Sequence, residues 1–254
     1  MTRGMKNGVK RALVTGAAHG LGAAIARTLA DAGYAVGVCD HDSEAAARTA
    51  RSMPNATAIV ADVTDADSVE QAFAQFGAAP DLVVCNAGIV RFGPLLEQSL
   101  TDLRSVLDVN LWGAMLVALA GARRMAAVGS GHVLCITSIN SATPGPNVGA
   151  YPAAKAGLAH FVRQLAIECG PSGVRANAVS PGFIDAGMSA PIFANDAVRA
   201  RRVAGVPLRR LGTAEDVANA VLWLDSPAAA YISGHELVVD GGVVSSLLAQ
   251  LPRA

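Results

Sequence analysis

Tyr151 and Lys155 stand four residues apart in a stretch that reads as helix, so their side chains share one helical face. An ammonium beside a phenol favours the phenolate. Bringing a phenol from about 10 to near neutrality corresponds to roughly 4 kcal/mol at ~1.36 kcal/mol per pH unit. A nearby cation, the positive charge of a bound cofactor and hydrogen bonding together are able to supply that. Such a pair takes a proton from an alcohol or returns one to a carbonyl. The plainer alternative is a half-buried core tyrosine beside a solvated lysine.

A second group lies near the other end, Thr15-Gly16-Ala17-Ala18-His19-Gly20-Leu21-Gly22, between a strand-like run and a helical one. Glycine there lets a chain turn tightly and lets a pyrophosphate approach the backbone, while the helix start presents free N–H groups and partial positive charge. Taken alone, the stretch could be a simple glycine turn. Asp40 ends the next strand-like run, where a carboxylate accepts hydrogen bonds from an adenosine ribose and repels a 2'-phosphate. At about 5 Å and an effective dielectric of about 20 the repulsion is roughly 3 kcal/mol, on the order of a hundredfold in affinity. The expected cofactor is therefore NAD. His19 and His41 work against this when charged, since a cation offsets the repulsion.

The elements that must position these groups alternate along the whole chain. Strand-like runs cover Ala12–Thr15, Ala35–Asp40, Thr57–Ala61, Leu82–Cys85, His132–Thr137, Val174–Val179 and Glu236–Val239. Helical stretches cover Leu21–Ala32, Ser43–Ser52, Asp65–Phe76, Leu100–Val128, Tyr151–Cys169 and Thr213–Ser226, with Ser43, Asp65, Thr101 and Thr213 as caps. The pattern predicts an α/β fold: one domain over residues 1–254, a Rossmann-type, doubly wound, parallel seven-stranded sheet with helices on both faces. Phe183–Arg210 fits neither class, and residues 183–210 are the expected substrate lid.

Of the 254 residues, 52% are hydrophobic and 16% charged, which suits a large interior. Twenty basic residues balance twenty acidic ones, so nothing draws the chain to nucleic acid or an anionic membrane. Cys39, Cys85, Cys135 and Cys169 lack metal-site or redox spacing and read as buried, reduced thiols; no metal site is expected. Residues 1–11 are polar and basic, unlike a signal peptide. The longest apolar run, Leu111–Ala122, is short for a membrane span of roughly 20 residues. A cytoplasmic protein with a small-molecule partner is expected.

Several motifs in order resemble the classical short-chain dehydrogenase/reductase family: Thr15 to Gly22, Asp62-Val63, Asn86-Ala87-Gly88, Asn110, Ser138, Tyr151-x-x-x-Lys155, Pro181-Gly182 and Asp240-Gly241-Gly242. The resemblance implies an enzyme that moves hydride between a secondary alcohol, or its ketone, and NAD. It implies that Tyr151 is the acid/base, that Ser138 bonds the reacting oxygen, that Lys155 also holds the nicotinamide ribose and that Asn110 supports a proton relay through water. Gly16, His19, Gly20, Leu21 and Gly22 would hold the pyrophosphate; Asp62 and Val63 the adenine; Asn86, Ala87 and Gly88 the adenosine ribose side; Pro181, Gly182 and Ile184 the nicotinamide side. Plainer roles stand beside these: Ser138 as a strand end, Asn110 as a helix distortion, Asn86 and Asp240 as scaffold.

One departure is Ala186, where the family usually has a threonine bonding the carboxamide; Asp185 or Ser189 would have to replace it. The substrate pocket is expected from Ile89 to Phe92, Ile139 to Ser141, Pro146 to Gly149, Phe183 and the lid. Asn140 and Asn147 could bind a hydroxyl there, and Arg91, Arg199, Arg201 or Arg202 a carboxylate. The apolar faces of the two longest helices, with the resemblance, imply a homotetramer. Rival readings are an NADPH-dependent 3-ketoacyl reductase and a non-catalytic dinucleotide sensor or structural subunit.

Overall fold

The computed structural model describes residues 8–246; residues 1–7 of the polar, basic stretch and the last eight residues lie outside the described residues. Seven strands, β1 (Arg11–Thr15), β2 (Ala35–Asp40), β3 (Ala56–Val60), β4 (Leu82–Cys85), β5 (Gly131–Ile136), β6 (Val174–Pro181) and β7 (Glu236–Val239), form one sheet in the order β3-β2-β1-β4-β5-β6-β7. Every pairing is parallel. Its inner strands read as unbroken apolar runs because helices cover both faces. The chain leaves β1 toward β2 on one side and reaches β4 on the other, so a crevice opens at the carboxyl ends between β1 and β4.

Alternate strand residues feed two cores. Leu13, Cys39, Ile59, Val83 and Cys135 face α3 (Ala66–Phe76), the long helix ending in α5 (Ala114–Ala127) and α6 (Tyr151–Cys169), meeting Phe73, Met125 and Leu158. Ala12, Val14, Val36, Val84 and Leu134 face α1 (Gly20–Asp31) and α9 (Ala214–Leu224), meeting Ile25, Leu29 and Val221. Gly121 lets α5 lie close on the sheet: a Cβ there would come within 2.8 Å of Val83 Cγ2.

Several sequence expectations need correction. Residues 183–210 are not irregular: after a short turn at Gly187–Ser189 come α7 (Ala190–Phe193) and α8 (Asp196–Gly205). Asn195 caps α8, its side chain accepting from the backbone N–H groups of Ala197 and Val198. The cap of α2 (Ser43–Arg51) is Asp42 rather than Ser43, and that of α4 (Leu100–Leu107) is Ser99 rather than Thr101. Asp65 and Thr213 do cap their helices, Thr213 in a reciprocal box with Asp216. Cys39, Cys85 and Cys135 are buried free thiols, whereas Cys169 is only half-buried.

The long helix runs through α4, a π-helical turn at Asp108–Gly113 and α5. As one unit, Leu100–Ala127, it spans 28 residues, longer than the apolar run in the sequence, and reaches the length and composition of a membrane span. Half of its most apolar window is buried, and its inner face is part of the core beside Val83.

Candidate active site

At the end of β1 the chain turns through Gly16, whose φ of +62° suits glycine. A Cβ on Gly16 would sit 2.8 Å from Ala87 Cα, and one on Gly22 only 2.1 Å from Gly16 O. The β4 end is stitched to this loop: Asn86 Nδ2 donates to the carbonyls of Thr15 at 3.0 Å and Gly16 at 3.1 Å. In return Thr15 Oγ1 accepts from the backbone N–H groups of Asn86 and Ala87. His19, at the start of α1, offers no capping bond. The first-turn N–H groups of α1 therefore have no side-chain acceptor from their cap, and glycines line the space in front of them. That cradle, too tight for side chains and rich in donors, fits a dinucleotide pyrophosphate.

Asp40 is buried and does more than the sequence indicated. Its Oδ2 accepts from Ala18 N–H at 3.0 Å, and its Oδ1 accepts from Asp42 N–H at 3.2 Å and faces His41 Nδ1 at 3.0 Å. It thus braces the glycine loop from behind, while His41 lines the cleft. Asp62 spends its carboxylate on the N–H and hydroxyl of Thr64, which hold it below the usual carboxylate range. Val63 packs under the long helix, 2.9 Å from where a Cβ on Gly113 would stand. Neither Asp62 nor Val63 lines the cleft.

The cleft, about 800 Å³, brings together Gly16, His19, Gly20, Leu21, Gly22, Asn86, Ala87, Gly88, Ser138, Tyr151, Lys155, Pro181, Gly182 and Ile184. Ser138 follows β5 in extended conformation, its hydroxyl accepting the Asn140 N–H at 3.2 Å on the side of the cleft that Tyr151 also lines. Tyr151 begins α6, and one turn on Lys155 runs inward, 3% exposed, with Nζ donating to Ile136 O at 2.8 Å and lying 5.5 Å from the Tyr151 ring centre. Burial pulls the Lys155 ammonium down to about 8.

For the phenol, proximity to lysine does not decide the outcome. Burial raises the Tyr151 hydroxyl, and the Ser138 hydrogen bond only partly opposes it. The expected shift toward neutrality counts on the positive charge of a bound cofactor as well as on the ammonium and hydrogen bonding; the protein's own groups leave the phenol above its ordinary value. The cause is desolvation of the phenolate, with the ammonium engaged by the Ile136 carbonyl.

Asn110 lies in the π-helical turn, fully buried and away from the cleft lining. Its Nδ2 donates to the carbonyls of Ile89 at 2.8 Å and Val106 at 2.9 Å, and its Oδ1 accepts the Ile89 N–H at 3.2 Å. The side chain fixes the segment after β4, with two donor bonds and one acceptor bond of its amide spent there; a Cβ on Gly88 would strike its Oδ1 at 2.6 Å.

The segment after β6 closes over the glycine loop. A Cβ on Gly20 would come within 2.8 Å of Gly187 Cα. Asp185 is paired with Arg199, and Arg202 stacks on Phe183 with its guanidinium 4.5 Å from the ring centre. Asp185 is therefore committed, and of the two proposed substitutes for the missing threonine only Ser189 lines the cleft, beside Ala186. Ile89 to Phe92 line it too; Ile139 to Ser141 and Pro146 to Gly149 do not. Asn140 instead accepts the Gly145 N–H, Asn147 gives its backbone carbonyl to Gly93, Phe183 lines a separate cavity, and Phe193 is buried. Asp240 serves its own turn, accepting from the N–H groups of Gly242 and Val244. Ile136 and Thr137, just before Ser138, are cleft residues that sequence reasoning did not place.

A parallel sheet with a glycine cradle at its switch point and a serine, tyrosine and lysine beside it defines a nicotinamide-dinucleotide oxidoreductase. The enoyl-(acyl carrier protein) reductase family profile matches residues 16–244, and the chain belongs to the short-chain dehydrogenase/reductase family. It is 41% identical over 240 residues to cis-4-hydroxycyclohexanecarboxylate dehydrogenase of Sinomonas cyclohexanicum, covering 91% of this chain and 95% of that one. It is 37% identical over 239 residues to the 3-oxoacyl-acyl-carrier-protein reductase of Escherichia coli (strain K12), covering 92% and 97%. The crystal structure of a gluconate 5-dehydrogenase from Burkholderia cenocepacia J2315 with NADP and tartrate superposes with a TM-score of 0.89 at 32% identity, covering 94% and 96%. The protein is an oxidoreductase acting between alcohols and carbonyl compounds.

Proposed function

We propose that the chain converts a secondary alcohol and NAD into the ketone, NADH and a proton, or runs the reverse, with Tyr151 as the acid/base. The convergence of Ser138, Tyr151 and Lys155 on one cleft wall carries this reading. Ser138 binds the substrate oxygen and holds it against the phenol. Lys155 presents its ammonium beneath the tyrosine and within reach of a ribose. A bound nicotinamide cofactor supplies the hydride acceptor and, when oxidised, a positive charge. Asn110 acts through the backbone it holds, as a positioning residue.

The buried carboxylate of Asp40 supports NAD over NADP, because it places fixed negative charge behind the loop that meets the adenosine ribose. His41 on the cleft wall favours the second reading, a reductase using NADPH, as does similarity to the 3-oxoacyl reductase. The non-catalytic reading leaves the convergent catalytic groups without a purpose. Exposed Leu100, Trp112 and Ile167 on the two longest helices support a homotetramer; sedimentation as monomer at working concentration would overturn it. The free thiols fit a cytoplasmic compartment.

The test is a panel of cyclic alcohols, polyols and hydroxy acids offered with NAD and with NADP, read by absorbance of the reduced cofactor. Turnover with NAD and a weaker response with NADP is expected. No turnover of any alcohol or corresponding ketone would overturn the reading.

A further inference from the structure

The sequence offers four arginines for a substrate carboxylate, and the geometry removes all but one. Arg199 is committed to Asp185 and the Phe193 carbonyl, Arg202 lies over Phe183, and Arg201 is outside the cleft lining. Arg91 lines the cleft together with Tyr151 and Ser138. Its Nε faces Asp102 Oδ1 at 3.4 Å, and its two terminal nitrogens have no partner among the described residues. Asp102 is itself held by the Ser99 hydroxyl at 2.8 Å and meets the half-exposed guanidinium through Nε, which leaves the terminal nitrogens for an anion.

The backbone under Arg91 is fixed relative to Tyr151. Upstream, Asn110 clamps Ile89 through both its N–H and its carbonyl. Downstream, Gln98 Nε2 donates to the carbonyls of Arg91 at 2.8 Å and Gly93 at 3.2 Å. Gly93 N–H in turn donates to Asn147 O at 3.0 Å, and Gly93 bridges to Val148 just before α6 begins. Gly149 makes room for this clamp, since a Cβ there would lie 2.0 Å from Gln98 Oε1. An arginine on so fixed a platform recognises a ligand at a set distance from the phenol.

The charge of the cleft agrees. Among the described residues lining it there is no aspartate or glutamate, whereas His19, His41, Arg91 and Lys155 all are present. Lys155 and the histidines belong with the catalytic and glycine-loop groups, and Arg91 stands beside the apolar Val90 and Phe92.

Resting on the dehydrogenase reading, we infer that the substrate is a secondary alcohol, or its ketone, carrying a carboxylate on an apolar frame, and that Arg91 binds that carboxylate. Arg91 sets specificity and takes no part in the proton or hydride steps. The experiment compares kcat/KM for 4-hydroxycyclohexanecarboxylate and its primary amide, in the unmodified enzyme, Arg91→Met and Arg91→Lys. The amide keeps the ring and the reacting hydroxyl and lacks only the charge. The unmodified enzyme should prefer the acid by about tenfold to a hundredfold, the range for a charge-assisted hydrogen bond at a partly solvated site. In Arg91→Met the two should come within about threefold, through loss of KM for the acid, and Arg91→Lys should keep part of the preference. Equal use of acid and amide by the unmodified enzyme, survival of the preference in Arg91→Met, or failure of both while other alcohols react would overturn the inference. Failure of every alcohol with either cofactor would instead remove the dehydrogenase reading beneath it.

Discussion

Asp40 illustrates how one side chain serves two ends. Its carboxylate holds the glycine loop through Ala18 and places negative charge near the expected ribose position. Asp40→Asn keeps an acceptor for that N–H while removing the charge, so the ratio of NADPH to NADH dissociation constants should fall about tenfold to a hundredfold. Fluorescence titration of both cofactors reads this; an unchanged ratio would show that Asp40 does not discriminate. The position of Asp40 at a strand end was legible in the sequence, its bracing role was not. That role depends on Ala18 and Asp42 N–H groups whose orientation is set by folding. The four-residue spacing of Tyr151 and Lys155 likewise gave their shared face, yet not the Ile136 carbonyl that takes up the ammonium.

At the scale of elements, strand runs buried on both faces stood out because helices on both sides exclude polar residues from them. The caps moved by one or two residues, since Asp42 and Ser99 adopt the extended conformation that precedes a helix while Ser43 and Thr101 already lie inside one. Residues 183–210 hid α7 and α8 because α8 buries no residue and therefore shows no apolar stripe. The hydrogen bond from Gly93 to Asn147 was equally invisible, since it joins residues far apart in the sequence. The lid itself meets the glycine loop through Gly187, with φ of +57° against Gly20. Gly187→Val strains that backbone by roughly 1–3 kcal/mol and fills the contact. Cofactor affinity should drop about tenfold or more with thermal stability lowered by only a few degrees. Affinity equal to the unmodified protein would show that this contact does not close the lid.

For the whole molecule, stability and chemistry sit at opposite ends of the sheet. Where β5, β6 and the end of α9 meet, His132, Asn177, Asp225 and Tyr34 form a buried network joined by Arg175 and the half-exposed Lys10. Asn177 Oδ1 accepts the His235 N–H, which turns its Nδ2 toward His132 Nε2 at 3.0 Å. Nε2 then accepts, while Nδ1 faces both Asp225 Oδ1 and the Arg175 guanidinium, each at 3.0 Å. Burial holds His132 below its ordinary value. The unfolded chain takes up a proton near pH 6.5 while the folded chain resists it, so this stability is full above about pH 6.5 and is lost as pH falls toward the folded value. Melting temperature should therefore decline from pH 7.5 to 5.5, on a slope that His132→Gln flattens. An identical slope in the variant would assign the decline to other groups.

The central claim is that the Tyr151 hydroxyl moves the substrate proton. Single-turnover absorbance of the reduced cofactor, in unmodified protein and Tyr151→Phe, measures that step, with cofactor fluorescence confirming saturation. We predict unchanged cofactor binding and a hydride-transfer rate lowered by about a hundredfold or more in the variant. A variant that binds cofactor and transfers hydride at the unmodified rate would contradict the account.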